Sequence, residues 1–502
     1  MGFIDLVKKE ENKRKTLTEN GAIAYDTSGK ELLDFNFKLS GFRKTNIEDI
    51  KDEFEKVYFE DPMTAVKFLF WVGDIREGAG ERKVFRSGLL WLAENKPEIC
   101  KALIPLVAEY NRYDSLLPLL DTPLRKDVTS YYKEQLIKDA RSYDRKDPVT
   151  LLAKWLPSEV ATSQKTQRYA RMICEDCGWS YENYRKALTT LRKYLDVVEV
   201  KMSANEWDKI DYSKVPSKAN LIYSDAFLSH DEKRRKEYLE SLKRGETKIN
   251  AGVLQPHEIV AKYKGVFSWG VDDYDETLEQ LWQNLPDETI ENCLVVRDGS
   301  GSMTSKISGN TTCLDVATAL TVYMAERNSG EWKNKFITFS SKPKVIDITN
   351  CESLHDKLTY INKFDECSNT DIYRTMMLIL QTAVNNNVSQ DDMPGMITIC
   401  SDMQFDGRWF NLDKTLFESI IEEFEAAGYK MPKLIFWNIN DRGECSIPIQ
   451  QNDFGLILCS GFSVQIMKMF MSNKLDPYEV LMETINAPRY DDVEAAVKKL
   501  IN

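Results

Sequence analysis

The sequence predicts an α + α/β protein, in which an all-α helical-repeat region precedes a doubly wound α/β domain. Apolar residues recur at helical spacing from about residue 45 to 250. After the acidic stretch Val271–Thr277, short β-rich runs alternate with helical segments instead. The change of pattern sets the predicted domains at residues 1–285 and 286–502.

The helical prediction for the first domain depends on spacing and on helix breakers. Ala65, Phe68, Leu69 and Val72 have i, i+3, i+4, i+7 spacing after the helix-starting pair Asp61-Pro62. Further apolar bursts of roughly 10–15 residues follow, separated by Pro, Gly or Asp. No strict period is visible, so the pattern favours an irregular helical-repeat array of the HEAT kind.

Charge is distributed unevenly along the 502 residues, whose net charge is −12. Residues 1–270 hold 47 Lys and Arg against 43 Asp and Glu, whereas residues 271–502 hold 20 against 36. Such asymmetry is typical of a polyanion-binding segment beside an acidic one. Drift in the sign of solvated helix faces explains it equally well.

Basic residues of the helical domain are candidates for contacts with RNA phosphates. Three of them are spaced by three along one predicted helix, and others flank tyrosines that could stack on unpaired bases. The alternative is a solvated face whose aliphatic stems cover core aromatics. The candidates are Lys165, Arg168, Arg171, Arg185, Arg192, Lys214 and Lys218.

Several function classes are disfavoured by composition. No apolar run reaches the roughly 18–20 residues that cross a bilayer, and the charged start lacks a signal-peptide core. We therefore expect a soluble, cytoplasmic protein that does not bind membranes. With three histidines and ten cysteines, of which only Cys174 and Cys177 form a CxxC pair, neither a zinc site nor redox chemistry is favoured.

Six apolar runs are predicted to be strands of a parallel sheet covered by helices on both faces. Helical segments lie between several of them, for example 314–327, 372–384 and 412–427. The predicted strands are 294–296, 336–339, 345–348, 397–400, 434–437 and 456–459.

Polar motifs stand where these strands end, which is where open α/β sheets bind ligands. The first strand runs into Asp298-Gly299-Ser300-Gly301-Ser302, a later loop carries Ser368-Asn369-Thr370-Asp371, and the fourth strand ends in Ser401-Asp402. Hydroxyl and carboxylate oxygens suit Mg²⁺. The predicted ligands of Mg²⁺ or another divalent cation are Asp298, Ser300, Ser302, Thr370 and Asp402.

Each motif also has a simpler explanation, since DGSGS is often a turn and Thr370 or Asp402 could cap a helix. The order of the three motifs, each at a strand end, favours the metal site. Three nearby carboxylates, Asp365, Asp371 and Asp406, are expected to support the ligands or cap helices.

The second domain therefore resembles a von Willebrand factor A domain with a metal-ion-dependent adhesion site. Asp298, Ser300, Ser302, Thr370 and Asp402 correspond to that motif residue by residue. Arg297 departs from it, because the first strand normally has an apolar residue there.

The first domain resembles the TROVE module of Ro autoantigen-like proteins, close to an uncharacterised TROVE-like family. The resemblance spans nearly the whole chain and includes three short stretches of the A domain. Its segments are 20–22, 34–37, 71–78, 80–82, 210–212, 215–217, 401–406, 436–438 and 460–462.

The resemblance implies a ring of HEAT-like helices closed by the A domain. Ro-like rings hold the ends of misfolded small RNAs in the central hole and bind structured noncoding RNA outside, as ribonucleoproteins of RNA quality control. Some are tethered to an exoribonuclease, which makes such an enzyme a second expected partner beside small noncoding RNA.

Two other function classes stay open. In the first, the metal site captures an acidic residue of a protein ligand and the helices form an assembly platform without RNA. In the second, Asp402 and Asp406 support metal-assisted phosphoryl hydrolysis. No GxxxxGK loop or nucleophile–histidine pair is evident, so we expect a protein that is not an enzyme and has no catalytic residues.

Overall fold

The computed structural model describes residues 15–17, 23–263, 271–339, 342–364, 371–405, 416–440, 455–472, 474 and 476–501. The chain divides into two units. The sheet unit comprises residues 1–45 and 251–484, and the helical unit comprises residues 46–250 and 485–502.

Strands and helices are numbered along the chain. The strands are β1 (Lys15–Leu17), β2 (Ile23–Tyr25), β3 (Cys293–Asp298), β4 (Lys306–Ser308), β5 (Thr311–Thr312), β6 (Lys335–Phe339), β7 (Val345–Asp347), β8 (Met396–Ser401), β9 (Lys433–Asn438) and β10 (Leu456–Ser460). The helices are α1 (Glu31–Phe37), α2 (Ile47–Glu60), α3 (Pro62–Gly73), α4 (Arg82–Asn95), α5 (Pro97–Leu103), α6 (Val107–Tyr110), α7 (Arg125–Asp144), α8 (Leu152–Trp155), α9 (Gln164–Cys177), α10 (Tyr181–Tyr194), α11 (Val198–Ser203), α12 (Ser217–His230), α13 (Glu232–Lys243), α14 (Pro256–Tyr263), α15 (Glu276–Gln283), α16 (Cys313–Glu326), α17 (Leu354–Ile361), α18 (Ile372–Asn386), α19 (Leu416–Ala426), α20 (Pro477–Ile485) and α21 (Asp491–Ile501).

A six-stranded sheet forms the centre of the sheet unit, in the order β10-β9-β8-β3-β6-β7. All its neighbours pair in parallel except β6 and β7. Every residue of β3 is buried, as expected of a central parallel strand. All six predicted strands are present, and the helices α16 and α18 agree with their predicted bounds within two residues. The antiparallel direction of β7 corrects the prediction of a parallel sheet, because an apolar run carries no strand direction.

Near its start, the helical unit has a capped helix, α3, which packs closely on the helices beside it. Asp61 accepts a hydrogen bond from the Thr64 amide at 3.1 Å and Pro62 occupies the first turn of α3, as the sequence predicts. Helices α2, α3 and α4 pack on one another, and an ideal Cβ on Gly88 would lie 2.5 Å from the Leu69 side chain. Glycine therefore lets α3 and α4 approach closely.

Terminal segments of the chain do not follow the predicted division at residue 285. The described parts of residues 1–45 and 251–285 pack with the sheet unit, and residues 485–501 pack with the helical unit. The chain thus passes between the units three times. A prediction that divides a sequence into contiguous blocks cannot find such crossings, because they depend on tertiary packing.

Near the start of the sheet unit, α1 lies against the edge strand β10. Three of the segments that resemble the TROVE family meet here: 34–37, 436–438 and 460–462. Asn36 donates to the Leu458 carbonyl at 3.3 Å, Asn438 donates to the Phe37 carbonyl at 2.9 Å, and the Ser40 amide donates to Ser460 at 3.0 Å. These hydrogen bonds join α1 and the residues after it to β9 and β10, so the three segments have a structural role.

Across the described part of the chain, no helix has the length and apolar character needed to cross a bilayer.

Candidate functional site

Asp298 is the last residue of β3 and the centre of the strand-end cluster. Its side chain is fully buried, and its Oδ1 accepts a hydrogen bond from the Ser300 amide at 2.9 Å. The hydroxyls of Ser300 and Ser302 lie 2.9 Å apart in the following turn. The predicted DGSGS motif therefore places one carboxylate and two hydroxyls together, as the sequence indicated.

Strand β8 brings the second carboxylate to the same sheet edge. It pairs with β3 so that Arg297 is opposite Cys400, which puts Ser401 and Asp402 beside Asp298. The Ser401 hydroxyl donates to Asp298 Oδ2 at 2.5 Å and accepts from the Met403 amide at 3.0 Å. Ser401 was not among the predicted site residues; its position at the end of a buried strand was the available signal.

Two buried carboxylates at one edge affect each other's ionisation. Burial and the negative charge of Asp402 raise the pKa of Asp298 to about 6, although hydrogen bonds from Ser401 and Ser300 act in the opposite direction. Asp402 is also buried, with 2% of its surface exposed. A cation would relieve the repulsion between these two groups, so the oxygen donors fit a divalent ion.

The predicted site is only partly visible. Asp298, Ser300, Ser302 and Asp402 are described, whereas Thr370 and the carboxylates Asp365 and Asp406 lie outside the described residues. Within the described ranges, no three Asp, Glu, His or Cys residues form a metal-holding group. The candidate centre thus combines two carboxylates with hydroxyls.

Asp371 and Arg297 have structural roles near this edge. The Asp371 carboxylate caps α18 by accepting from the Arg374 amide at 3.0 Å, which is one of the roles predicted for it. Arg297 is 1% exposed, and its Nε donates to the Thr318 hydroxyl on α16 at 3.0 Å. The departure from an apolar residue therefore links the central strand to a helix.

The helical unit presents predicted RNA contacts on two adjacent helices. Lys165, Arg168 and Arg171 lie on α9 and Arg185 lies on α10, and all four are exposed. Arg168 also pairs with Asp121 at 2.7 Å. These four residues form what we call the α9–α10 basic surface.

The remaining three candidates are placed differently. Arg192 is half-buried on α10 and donates to the carbonyls of Ala153 and Leu156 at 2.8 and 2.9 Å. These two hydrogen bonds satisfy carbonyl groups at the end of α8, so we leave Arg192 out of the basic surface. Lys214 is exposed and pairs with Asp211 at 3.1 Å, and Lys218 is exposed at the start of α12.

Two other sequence features have structural explanations. In the run 233–236, Lys236 pairs with Glu232 at 2.5 Å, as i,i+4 spacing predicts. Cys174 and Cys177 are buried at the end of α9, and burial raises the pKa of both thiols to about 11. Burial therefore disfavours the thiolate form of both cysteines, which is the form that reacts.

Segment 71–78, one of those that resemble the TROVE family, contacts the C-terminal residues of the helical unit through a buried carboxylate. Asp74 is fully buried, accepts from the Arg76 amide at 3.0 Å and pairs with the Arg489 guanidinium. Tyr490 donates to the same carboxylate at 3.3 Å and stacks on Tyr110 at 5.7 Å. The segment therefore holds the chain terminus and does not contribute to the strand-end cluster.

The fold and these sites define a two-unit protein, with exposed cations on a helical unit and a carboxylate–hydroxyl cluster on an α/β unit. Two family models match the chain: the domain of unknown function DUF2828 over residues 18–110 and 163–293, and the domain of unknown function DUF7788 over residues 292–499. A viral relative, "Uncharacterized protein L728" of Acanthamoeba polyphaga mimivirus, is 29% identical over 511 residues, covering 94% of this chain and 87% of the relative. The crystal structure of Deinococcus radiodurans RO (RSR) protein is similar with a TM-score of 0.45 and 14% identity, over 86% of this chain and 93% of that one.

Proposed function

We propose that this chain is a noncatalytic RNA-binding protein of the Ro/TROVE type, which binds small noncoding or misfolded RNA on its helical unit. The observation that carries the proposal is the α9–α10 basic surface. Exposed Lys and Arg on neighbouring helices neutralise phosphates and release counterions. Residues 46–250 and 485–502 hold 39 Lys and Arg against 38 Asp and Glu, so these exposed cations form a local basic surface on a nearly neutral unit.

The RNA proposal is tested by neutralising two arginines of that surface. Arg171→Gln with Arg185→Gln is expected to weaken binding of a labelled small RNA and to reduce the slope of log K against log salt by roughly 0.7 per lost single-strand contact. The control is Arg145→Gln with Arg244→Gln, which removes two exposed cations that pair with Asp147 and Glu246. Equal affinity and slope in both double variants would remove the α9–α10 surface from the proposal.

A second candidate function rests on the strand-end cluster. The cluster would hold Mg²⁺ through Asp298, Ser300, Ser302 and Asp402, with Thr370 as the further predicted ligand. The bound ion would neutralise the two buried carboxylates and offer a position for an acidic residue of a protein partner. In this function the chain is a Mg²⁺-dependent adhesion or assembly module.

Thermal unfolding with and without Mg²⁺ tests the metal site. Ligands that bind only the folded state raise its stability, so Mg²⁺ should raise the melting temperature of the full chain. Asp402→Asn should abolish this shift because it removes one of two charged ligands. Asp371→Asn, which changes the N-terminal cap of α18, should retain it. An equal shift in both variants would place Mg²⁺ elsewhere.

A further inference from the structure

Three arginines of the helical unit converge on one carboxylate. Arg82 and Arg86 lie four residues apart on α4, and Arg112 precedes the 3-10 helix that contains Asp114. Their guanidinium groups lie within 3.2 Å of Asp114 Oδ2. We call these four residues the arginine cluster.

The arginine cluster carries more charge and more donors than its carboxylate satisfies. Three guanidinium groups around one carboxylate leave a surplus of two positive charges. Each guanidinium has five N–H donors, and the buried Nε of Arg82 makes no hydrogen bond within the described chain. Arg86 places its Nε 3.3 Å from the Ser115 hydroxyl, which leaves its outer donors directed towards Asp114 and solvent.

Neighbouring groups hold the arginines in a preformed arrangement that solvent still reaches. Arg112 stacks on Trp155, with the guanidinium carbon 3.7 Å from the ring centroid. The side chains of Arg82, Arg86 and Arg112 keep 33%, 29% and 25% of their surface exposed. Burial, together with the positive charges of Arg112 and Arg86, lowers the pKa of Arg82 to about 10. Like charges held this closely favour the approach of an anion.

We infer that the arginine cluster is a binding site for a phosphate group. Guanidinium forks match the oxygens of phosphate and bind them by charge-assisted hydrogen bonds. The charge of a phosphate diester or monoester offsets the surplus of the cluster. This inference rests on the proposed RNA binding as far as the phosphate belongs to an RNA backbone; a free phosphate compound has the same chemistry.

A titration of the full chain with a short fluorescein-labelled oligouridylate tests the site, at about 50 and about 200 mM salt. Arg82→Gln with Arg86→Gln is expected to weaken binding by about tenfold or more, because each variant residue loses charge-assisted bonds. The salt slope should fall by roughly 0.7 for a lost phosphate contact. The charge-matched control, Arg145→Gln with Arg244→Gln, should keep the wild-type affinity and slope.

A second arm uses inorganic pyrophosphate and follows thermal unfolding. The wild-type chain and the control should be stabilised by pyrophosphate, whereas the Arg82/Arg86 double variant should not. Asp114→Asn keeps the test valid if the double variant fails to fold. Asp114→Asn removes the competing carboxylate, so it should tighten anion binding several-fold and lower the melting temperature of the ligand-free chain. A purely structural cluster would give only the lower melting temperature.

The outcomes separate this inference from the proposed function. RNA binding and pyrophosphate stabilisation that are both unchanged in the Arg82/Arg86 variant would overturn the phosphate site and leave RNA binding in place. No RNA binding by the wild type, together with pyrophosphate stabilisation lost only in the Arg82/Arg86 variant, would support a site for free phosphate compounds and reject the RNA proposal. If neither ligand distinguishes the variant from the control, or Asp114→Asn does not tighten binding, the inference is wrong.

Discussion

Burial decides what each arginine of the helical unit does. Arg235 is fully buried, lies within 5.4 Å of the Tyr212, Phe227 and Tyr238 ring centroids and donates to Asn220 at 3.1 Å. Arg171, in contrast, is exposed. Sequence spacing treats such residues alike, because it reports a position along a helix and does not report which neighbours cover the side chain.

The same limit explains how well single site residues were predicted. That Asp298, Ser300, Ser302 and Asp402 lie near one another was predictable because the ends of parallel strands meet at one sheet edge, a rule that follows from the pattern alone. Arg82 and Arg86 were not found, although their i,i+4 spacing was visible. Their convergence on Asp114 requires the packing of α4 against a segment about thirty residues away, which no local pattern reveals.

Gly78 gives a prediction about a single residue. An ideal Cβ at this position would lie 2.0 Å from the Trp71 carbonyl oxygen, which belongs to the backbone and cannot move aside. Gly78→Ala should therefore lower the free energy of unfolding by roughly 1–3 kcal/mol or more, as overpacking does. Urea unfolding measures this change. Gly252→Ala, where a Cβ meets nothing within 4 Å, should have little effect, and equal losses would contradict the packing argument.

At the level of helices and strands, α21 is held in the helical unit by packing and by charge. It packs on α3 and α5, with Val493 and Val497 fully buried, and its Glu494 pairs with Lys67 at 3.2 Å. The segment just before α21 carries Arg489, the partner of buried Asp74. Helix α21 therefore completes the apolar core of the first helices of the unit.

Breaking the Arg489–Asp74 pair tests this role of the C-terminal segment. Arg489→Gln leaves the fully buried Asp74 without its cation, which typically costs roughly 3–5 kcal/mol. Hydrogen exchange should show a loss of protection in α3, while β3 of the sheet unit keeps its protection. Arg145→Gln serves as the control, since an exposed pair contributes little. Unchanged exchange in α3 would mean that the segment is not needed for its stability.

Elements were easier to predict than their arrangement. The six strands agree with the prediction because each is a short β-rich run bounded by turn residues or by polar motifs. Residues 104–121 form short helical turns and a 3-10 helix that contains Pro118, because proline lacks an amide donor and clashes in a regular α-helix. Apolar spacing identifies the buried face of such segments and does not fix the type of helix.

Across the whole chain, each unit is built from segments distant in sequence. The helical unit takes its last helix from the C-terminus, and the sheet unit takes α1 from near the N-terminus. Both proposed binding functions use residues that the fold brings together: cations from several helices in one unit, and oxygens from two strand ends in the other. A cut at residue 285 would separate α21 from the helical unit and α1 from the sheet unit. Experiments on either site therefore require the full chain.

The central claim is that the helical unit binds RNA, and purification without nuclease at low salt tests it most directly. The ratio of absorbance at 260 and 280 nm reports retained nucleic acid, and sequencing identifies it. We expect a discrete set of small RNAs that salt releases, because phosphate contacts weaken steeply as salt rises. A clean protein spectrum with no retained RNA, repeated when total small RNA is added back, would contradict the claim and leave the strand-end cluster as the candidate functional site.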